Sequence, residues 1–232
     1  MQTPPFWERS EQVEMFAGRE PDRRLLELIG SYPHPQRTRV LDIGCAGGRN
    51  TVVLAEHGFD VYAIDSSSAM VEKTRERVAR VLGAGETEIR VRVGHMQDLG
   101  DFDSASFHLV VALGIYHSAT TREEWDRTLG ETARVLAPGG QVLVANFSPQ
   151  SDPGGEGLRP VPGEPLVYEG FDAGLLFLLE ADELDAELAR HGLVPVVPTE
   201  TVVTPTEAGR RVTVNGLYRK GQRETPGRGG RK

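Results

Sequence analysis

From residue 39 to residue 147 short apolar runs alternate with amphipathic stretches, and this alternation restricts the chain to an α/β fold with a mostly parallel, doubly wound sheet. Residues 39–43 (RVLDI) read as a buried strand, followed by a glycine loop and a helix over about residues 50–57 that Gly58 closes. Residues 60–64 (DVYAI) form a second strand. The serines at 66–68 open a helix to about Leu82, because their hydroxyls cap the free amides of its first turn. Residues 89–93 (IRVRV) alternate as a third strand, and residues 107–113 are apolar enough for a fourth strand covered on both faces. A helix over about 121–136 stops at Pro138-Gly-Gly140, and residues 141–147 make the fifth strand.

The flanks carry weaker patterns. Val13, Phe16, Leu25, Leu26 and Ile29 suit amphipathic helices interrupted near residues 18–21, which gives an N-terminal helical cap over residues 1–35. The main domain is then expected over residues 36–220. Residues 148–174 are rich in Pro and Gly without periodicity, as lids and disordered loops are, so 148–179 reads as a lid or acceptor-side insertion. Residues 175–179 are a short strand or the lead-in to a helix over 182–191. Residues 193–203 and 211–218 pair as a terminal hairpin, and residues 221–232 are expected to be a disordered tail.

Composition narrows the function classes. A net charge of -8, from 34 acidic and 26 basic residues, repels phosphate backbones and anionic lipids, which disfavours nucleic acid and membrane surfaces as partners. The N-terminus has no basic start followed by an apolar run, and no stretch approaches the roughly 20 apolar residues of a membrane span. A soluble, cytoplasmic protein is the expectation. Cys45 is the only cysteine and the six histidines show no pair at ligand spacing, so no metal is expected.

The chemistry concentrates in residues 40–50 (VLDIGCAGGRN), between the first strand and its helix. Gly44, Ala46, Gly47 and Gly48 let the backbone turn tightly and approach a ligand, and the helix start offers free amides. A Rossmann dinucleotide site shares this geometry, but the spacing here is G-x-x-G-G. Asp42 would also set a carboxylate near the phosphates, which suits a ligand ammonium group better. Asp65, at the tip of the second strand, is placed to take both hydroxyls of a ribose.

With these pieces the chain resembles the class I S-adenosylmethionine-dependent methyltransferase superfamily. The matching segments are 40–51 (VLDIGCAGGRNT), 61–70 (VYAIDSSSAM), 93–99 (VGHMQDL), 107–117 (FHLVVALGIYH) and 133–147 (ARVLAPGGQVLVANF), in the family's order. The resemblance implies a Rossmann-like sheet of seven strands with an antiparallel C-terminal hairpin, and S-adenosylmethionine as cofactor. It implies that Gly44, Cys45 and Ala46 approach the methionine part and that Asp65 binds the ribose. Ser66, Met70, His95 and Met96 then lie near the adenine, and Leu113 completes the cofactor set with Asp42. Two positions depart from the family pattern: His95 stands where Asp is usual, and Phe107-His108 where Phe-Asp is usual.

Methyl transfer is an in-line displacement that mainly needs alignment and exclusion of water. Acceptor residues are expected just beyond the fourth and fifth strands, at 114–117 and 146–148, with His117 as the candidate base. Packing of His117 in the loop is the competing reading. The fourth strand lacks the Asn/Asp-Pro-Pro-aromatic signature of amide and exocyclic-amine methylation. A small-molecule acceptor is therefore the expectation, and a non-catalytic protein that binds the cofactor is the alternative.

Overall fold

Hydrophobic alternation within each central strand feeds two separate cores, one on each face of the sheet. The computed structural model describes residues 5–222. Helices α1 (Ser10–Ala17) and α2 (Arg23–Ile29) precede β1 (Arg39–Ile43), α3 (Arg49–Glu56), β2 (Asp60–Asp65) and α4 (Ser68–Leu82). Then come α5 (Ala84–Arg90), β3 (Val91–Val93), β4 (Phe107–Leu113), α6 (Arg122–Val135) and β5 (Leu136–Phe147). The C-terminal part holds β6 (Arg159–Pro160), β7 (Val167–Phe171), β8 (Gly174–Phe177), α7 (Ala181–Arg190), β9 (Leu193–Pro195), β10 (Glu200–Pro205) and β11 (Arg210–Lys220).

The main sheet runs β10-β11-β5-β4-β1-β2-β3, with β9 also paired to β11. Strands β1 to β5 are mutually parallel, and β11 lies antiparallel to β5 with Thr213 opposite Phe147. The expected doubly wound sheet with its antiparallel end is therefore present. Leu41, Ile43, Val110, Ala112, Val142 and Val144 point into a core shared with α6 and α7, where Trp125 stacks on Phe177 at 4.6 Å. Their neighbours Val40, Leu109, Val111 and Leu143 point the other way, against Leu25, Ile29, Leu54 and Val78 of α2, α3 and α4. No described helix is long and apolar enough to cross a membrane.

Four details differ from the sequence reading. The third strand keeps only residues 91–93, because residues 84–90 form α5, where Arg90 pairs with Glu86 one turn earlier and with Asp60. Ile89, expected in the strand, is 62% exposed. Residues 136–140, expected as a helix stop, open β5 on a bulge, with Phe107 opposite Leu136 but Leu109 opposite Gln141. The Pro/Gly-rich segment is not an unstructured loop: β6, β7 and β8 form a separate antiparallel sheet of three strands. Finally, the first arm of the terminal hairpin is split into β9 and β10, with Pro198 in the gap, where it has no N–H to give to a ladder. The expected tail falls mostly on residues 223–232, outside the described residues.

The Trp125 ring is fully buried, stacks on Phe177 and donates from Nε1 to Glu187 at 3.2 Å. Trp125→Ala is expected to cost about 3–5 kcal/mol of stability, the usual price of a large cavity. Urea unfolding followed by far-UV circular dichroism checks this, and a loss under 1 kcal/mol would place the ring outside the core.

Candidate active site

The loop after β1 is held in a conformation that most side chains resist. Gly44, Ala46 and Gly48 have φ of +71°, +49° and +79°, and left-handed backbone at a non-glycine position is a stored strain. A Cβ on Gly44 would stand 2.7 Å from Ile115 Cγ1, so only glycine lets the loop pass beneath that side chain. The first amides of the loop are not free. Gly44 N and Cys45 N both donate to Ile64 O, at 2.8 and 3.0 Å, and Ala46 N donates to Asp65 Oδ2 at 2.9 Å. The loop thus offers close backbone approach rather than a row of free donors.

Asp65 closes this arrangement from the tip of β2. Its Oδ1 accepts from Ser67 N at 2.9 Å, and Ser67 caps α4 by accepting from Met70 N. Burial raises the Asp65 pKa, while the amides of Ser67 and Ala46 pull it back. Each carboxylate oxygen retains acceptor capacity beyond one amide, so the group can still receive hydroxyl donors. A cleft opens beside it, lined by Gly44, Asp65, Ser66, Gly94, His95 and Met96 on one side and Ile115, Ser118 and Glu124 on the other.

Of the residues expected from sequence, the structure brings Gly44, Asp65, Ser66, His95 and Met96 together in this cleft. Asp42, Cys45, Ala46, Met70 and Leu113 do not line it. Asp42 is 2% exposed beneath the loop, where it accepts from Thr51 Oγ1 at 2.6 Å. Cys45 is buried against Thr74, and burial together with Asp65 and Asp42 pushes its thiol pKa up, so it is an inert packing group. Met70 is buried on α4. Ile115, from the expected acceptor segment 114–117, also lines the cleft, whereas Gln97, Ser118 and Glu124 line it without having been expected from sequence. Gln97 lies two positions after His95 and was within reach of the third-strand motif. Ser118 and Glu124 carry no local signal, because they reach the cleft through a turn after β4 and the first turn of α6.

His117 is buried, and its ring stacks on Phe147 at 4.5 Å. Its Nδ1 accepts from Phe147 N at 3.3 Å, and burial lowers its pKa to about 4. The neutral ring then carries its proton on Nε2, and its single lone pair is already engaged. This geometry fits the packing reading of His117 and opposes the base role. The stack continues from Phe147 to Phe171 at the β7–β8 turn, with ring centroids 4.9 Å apart.

The N-terminal cap is fastened to the same region. The Glu8 carboxylate accepts from Ser68 N and Ala69 N at the start of α4, and Trp7 O accepts from Ser67 Oγ. Farther along, Gly47 has no room for a Cβ because Ala17 Cβ would lie 2.4 Å away, and Arg77 Nη1 donates to both Ala17 O and Gly47 O.

Residues 40–140 match a family model described as a methyltransferase domain. A demethylmenaquinone methyltransferase of Clavibacter sepedonicus is 31% identical over 58% of this chain and 46% of its own length. A 27-O-demethylrifamycin SV methyltransferase of Amycolatopsis mediterranei is 27% identical over 82% and 65%, respectively. A probable tRNA methyltransferase of Mus musculus is 29% identical over 45% of this chain and 21% of its own. The chain thus spans less than two-thirds of each of these relatives. Among solved structures, a 1,6-didemethyltoxoflavin-N1-methyltransferase of Burkholderia thailandensis, determined with its acceptor and S-adenosylhomocysteine, superposes with a TM-score of 0.61. It is 22% identical, covering 86% of this chain and 78% of that one.

Burial raises the Asp42 pKa from 3.8 to about 6, partly offset by Thr51 and Arg49. A carboxyl raised on folding contributes stability that is fully present below its unfolded pKa and is lost as pH rises through the folded value. The rise corresponds to about 3 kcal/mol, lost between about pH 4 and pH 6. Asp42→Asn, which keeps an acceptor for Thr51, should therefore be more stable than the parent at pH 7.5 and show little gain at pH 4. Parallel urea titrations at the two pH values check this, and an equal effect at both would contradict the buried charge.

Proposed function

We propose that the chain is a class I S-adenosylmethionine-dependent methyltransferase that transfers a methyl group from that cofactor to a small-molecule acceptor, a reading that the match of residues 40–140 to a methyltransferase domain supports. The observation that carries the reading is Asp65: a carboxylate tied by two backbone amides, with acceptor capacity left over, facing a cleft walled by Gly44 and Met96. That donor set fits a nucleoside, with the ribose diol on Asp65 and the base beside Met96 and His95. When bound, the cofactor supplies an electrophilic methyl on a sulfonium.

The chain's own contribution is position and dryness. Gly44 lets the backbone come close, Ile115 packs over the loop, and Glu8 with Trp7 holds the N-terminal segment against α4. Asp42 keeps a buried carboxyl under the loop, where a ligand ammonium group would favour its charged form. His117 acts as a positioning residue that holds the end of β5 through Phe147 N. Residues 148–179 wall the acceptor side, with Phe171 resting on Phe147. The acidic net charge and the relatives named for a quinone and a rifamycin support a small molecule over a nucleic acid.

Calorimetric titration with S-adenosylhomocysteine tests the reading. Micromolar binding is expected, and Asp65→Ala should weaken it on the order of 100-fold, as loss of two hydrogen bonds to a charged acceptor implies. Unchanged affinity in a folded Asp65→Ala protein would sink the site. His95→Asp adds one acceptor oxygen toward the base and should tighten binding about 3- to 10-fold. An unaltered constant would mean that the adenine is read by backbone and packing alone.

A further inference from the structure

Strand β10 ends the main sheet, and among the described residues no strand pairs with its outer side. All its residues, Glu200–Pro205, are exposed. Edge strands are commonly blunted by lysine, proline or a bulge, because their free N–H and C=O groups template pairing with another chain. Here Val202 and Val203 stand side by side in the middle of the edge, 41% and 57% exposed, with no lysine in the strand. Val194 on β9, and Val196 and Val197 in the link to β10, extend the exposed apolar run along the same edge.

The hydrogen bonds of β11 fix which groups of β10 face outward. Val212 N donates to Ser151 Oγ and Val212 O accepts from Ser148 N, both at 3.0 Å and on the side away from β10. Arg210 exchanges both of its backbone bonds with Asp152 on that side too. Val203 and Pro205, opposite Val212 and Arg210, therefore sit in the non-hydrogen-bonded pairs of the β10–β11 ladder. The N–H and C=O groups of Thr201 and Val203 thus point out of the sheet edge. Pro205, at the next outward position, has no N–H to leave unpaired.

This pattern is self-complementary. When two such edges pair antiparallel, Thr201 of each copy exchanges both backbone bonds with Val203 of the other, and Val202 meets Val202 on the twofold axis. A register centred on Val203 sets Pro205 against Thr201 and loses a bond at each end, and one centred on Thr201 runs past the start of the strand. The register centred on Val202 also places Glu200 opposite Thr204 of the second copy, whose own neighbour on β11 is Arg211. Glu200 and Arg211 of the second copy then share one face at two strand spacings, about 10 Å, within reach of two long side chains. Among the described residues neither has an ion-pair partner in its own chain.

We propose that β10 is a homodimer edge, through which a second copy of this chain continues the sheet across a twofold axis at Val202. The interface goes beyond the methyltransferase reading and does not depend on it, since the nucleoside cleft lies over β1, β2 and β3 toward the other end of the sheet. Residues 223–232, outside the described residues, carry no Val, Leu, Ile, Met or aromatic side chain with which to cover the valines instead. An edge of this length is small for an interface, so a dissociation constant of about 10 μM is expected.

Sedimentation velocity of the full chain over a dilution series tests this, and the parent should pass from monomer to dimer as concentration rises. Val203→Pro removes an outward N–H without touching the β11 ladder and should weaken the dimer about 10-fold or more. Glu200→Arg should weaken it as well, and adding Arg211→Glu in the same chain should restore it. Val202→Cys should cross-link two copies under oxidation, because a non-hydrogen-bonded pair holds its Cα atoms about 4.5 Å apart. Val203→Cys, with Thr201 opposite, should not, and the native Cys45 is buried. Should Val203→Pro lose its native circular dichroism, the contrast between the two cysteine variants still decides the register. A parent that stays monomeric overturns the proposal, as does a dimer indifferent to the charge exchange and cross-linked equally at both positions. A parent that dimerises only once residues 223–232 are removed also overturns it, because those residues then occupy the edge.

Discussion

The Asp65 carboxylate is the joint on which the rest of the site depends. One oxygen takes the amide of Ala46 in the glycine loop and the other takes the amide of Ser67 at the start of α4. Two chain segments that leave adjacent strands are thereby fixed to a single side chain. Ala46 sits in left-handed backbone, which L-residues resist at a cost of order 1 kcal/mol. Its hydrogen bond to an ionised acceptor is of comparable or greater size, so the loop holds its shape before any ligand arrives. The same group that would read a ribose thus also builds the wall of the cleft.

The N-terminal cap extends that joint. Glu8 and Trp7 engage the first turn of α4, and Arg77 on the same helix reaches Ala17 and Gly47 together. Helix α4 is therefore clamped to the cap at two points about two turns apart along its length, with the glycine loop between them. A change in the cap is transmitted to the loop through Arg77, because Gly47 has no free space on the side of Ala17.

The mostly parallel, doubly wound sheet and the positions of Gly44 and Asp65 just beyond β1 and at the tip of β2 were legible in the sequence because each rests on local pattern. Strand 107–113 is buried on both faces and reads so in its composition, while 39–43 and 60–64 end at the glycine loop and at Asp65. The third strand was misplaced at its start because Ile89-Arg-Val-Arg-Val93 satisfies a two-residue period, while the Glu86–Arg90 pairing decides for helix. Of the small sheet, only β8 showed in the sequence, where residues 175–179 read as a short strand or a helix lead-in; β6 and β7 are two and five residues long, too short for periodicity, and Val167 and Phe177 anchor the sheet in the core shared with α6 and α7. Asp42 and His117 were correctly placed near the loop and the end of β4, but their burial is a tertiary property. No spacing rule states that the lone pair of His117 is taken by the amide of Phe147.

Charge collects unevenly around the glycine loop in a way that no single residue reveals. Burial raises the pKa of both Asp42 and Asp65, with Asp65 adding to the rise at Asp42 and Glu8 to the rise at Asp65, while Arg49 at the start of α3 offsets part of it at Asp42. A cation bound beside these carboxyls would favour their charged forms. The amides of Ala46 and Ser67 already act in that direction on Asp65. The effect of a ligand on charge therefore falls most on Asp42, which is buried beneath the loop and accepts from Thr51.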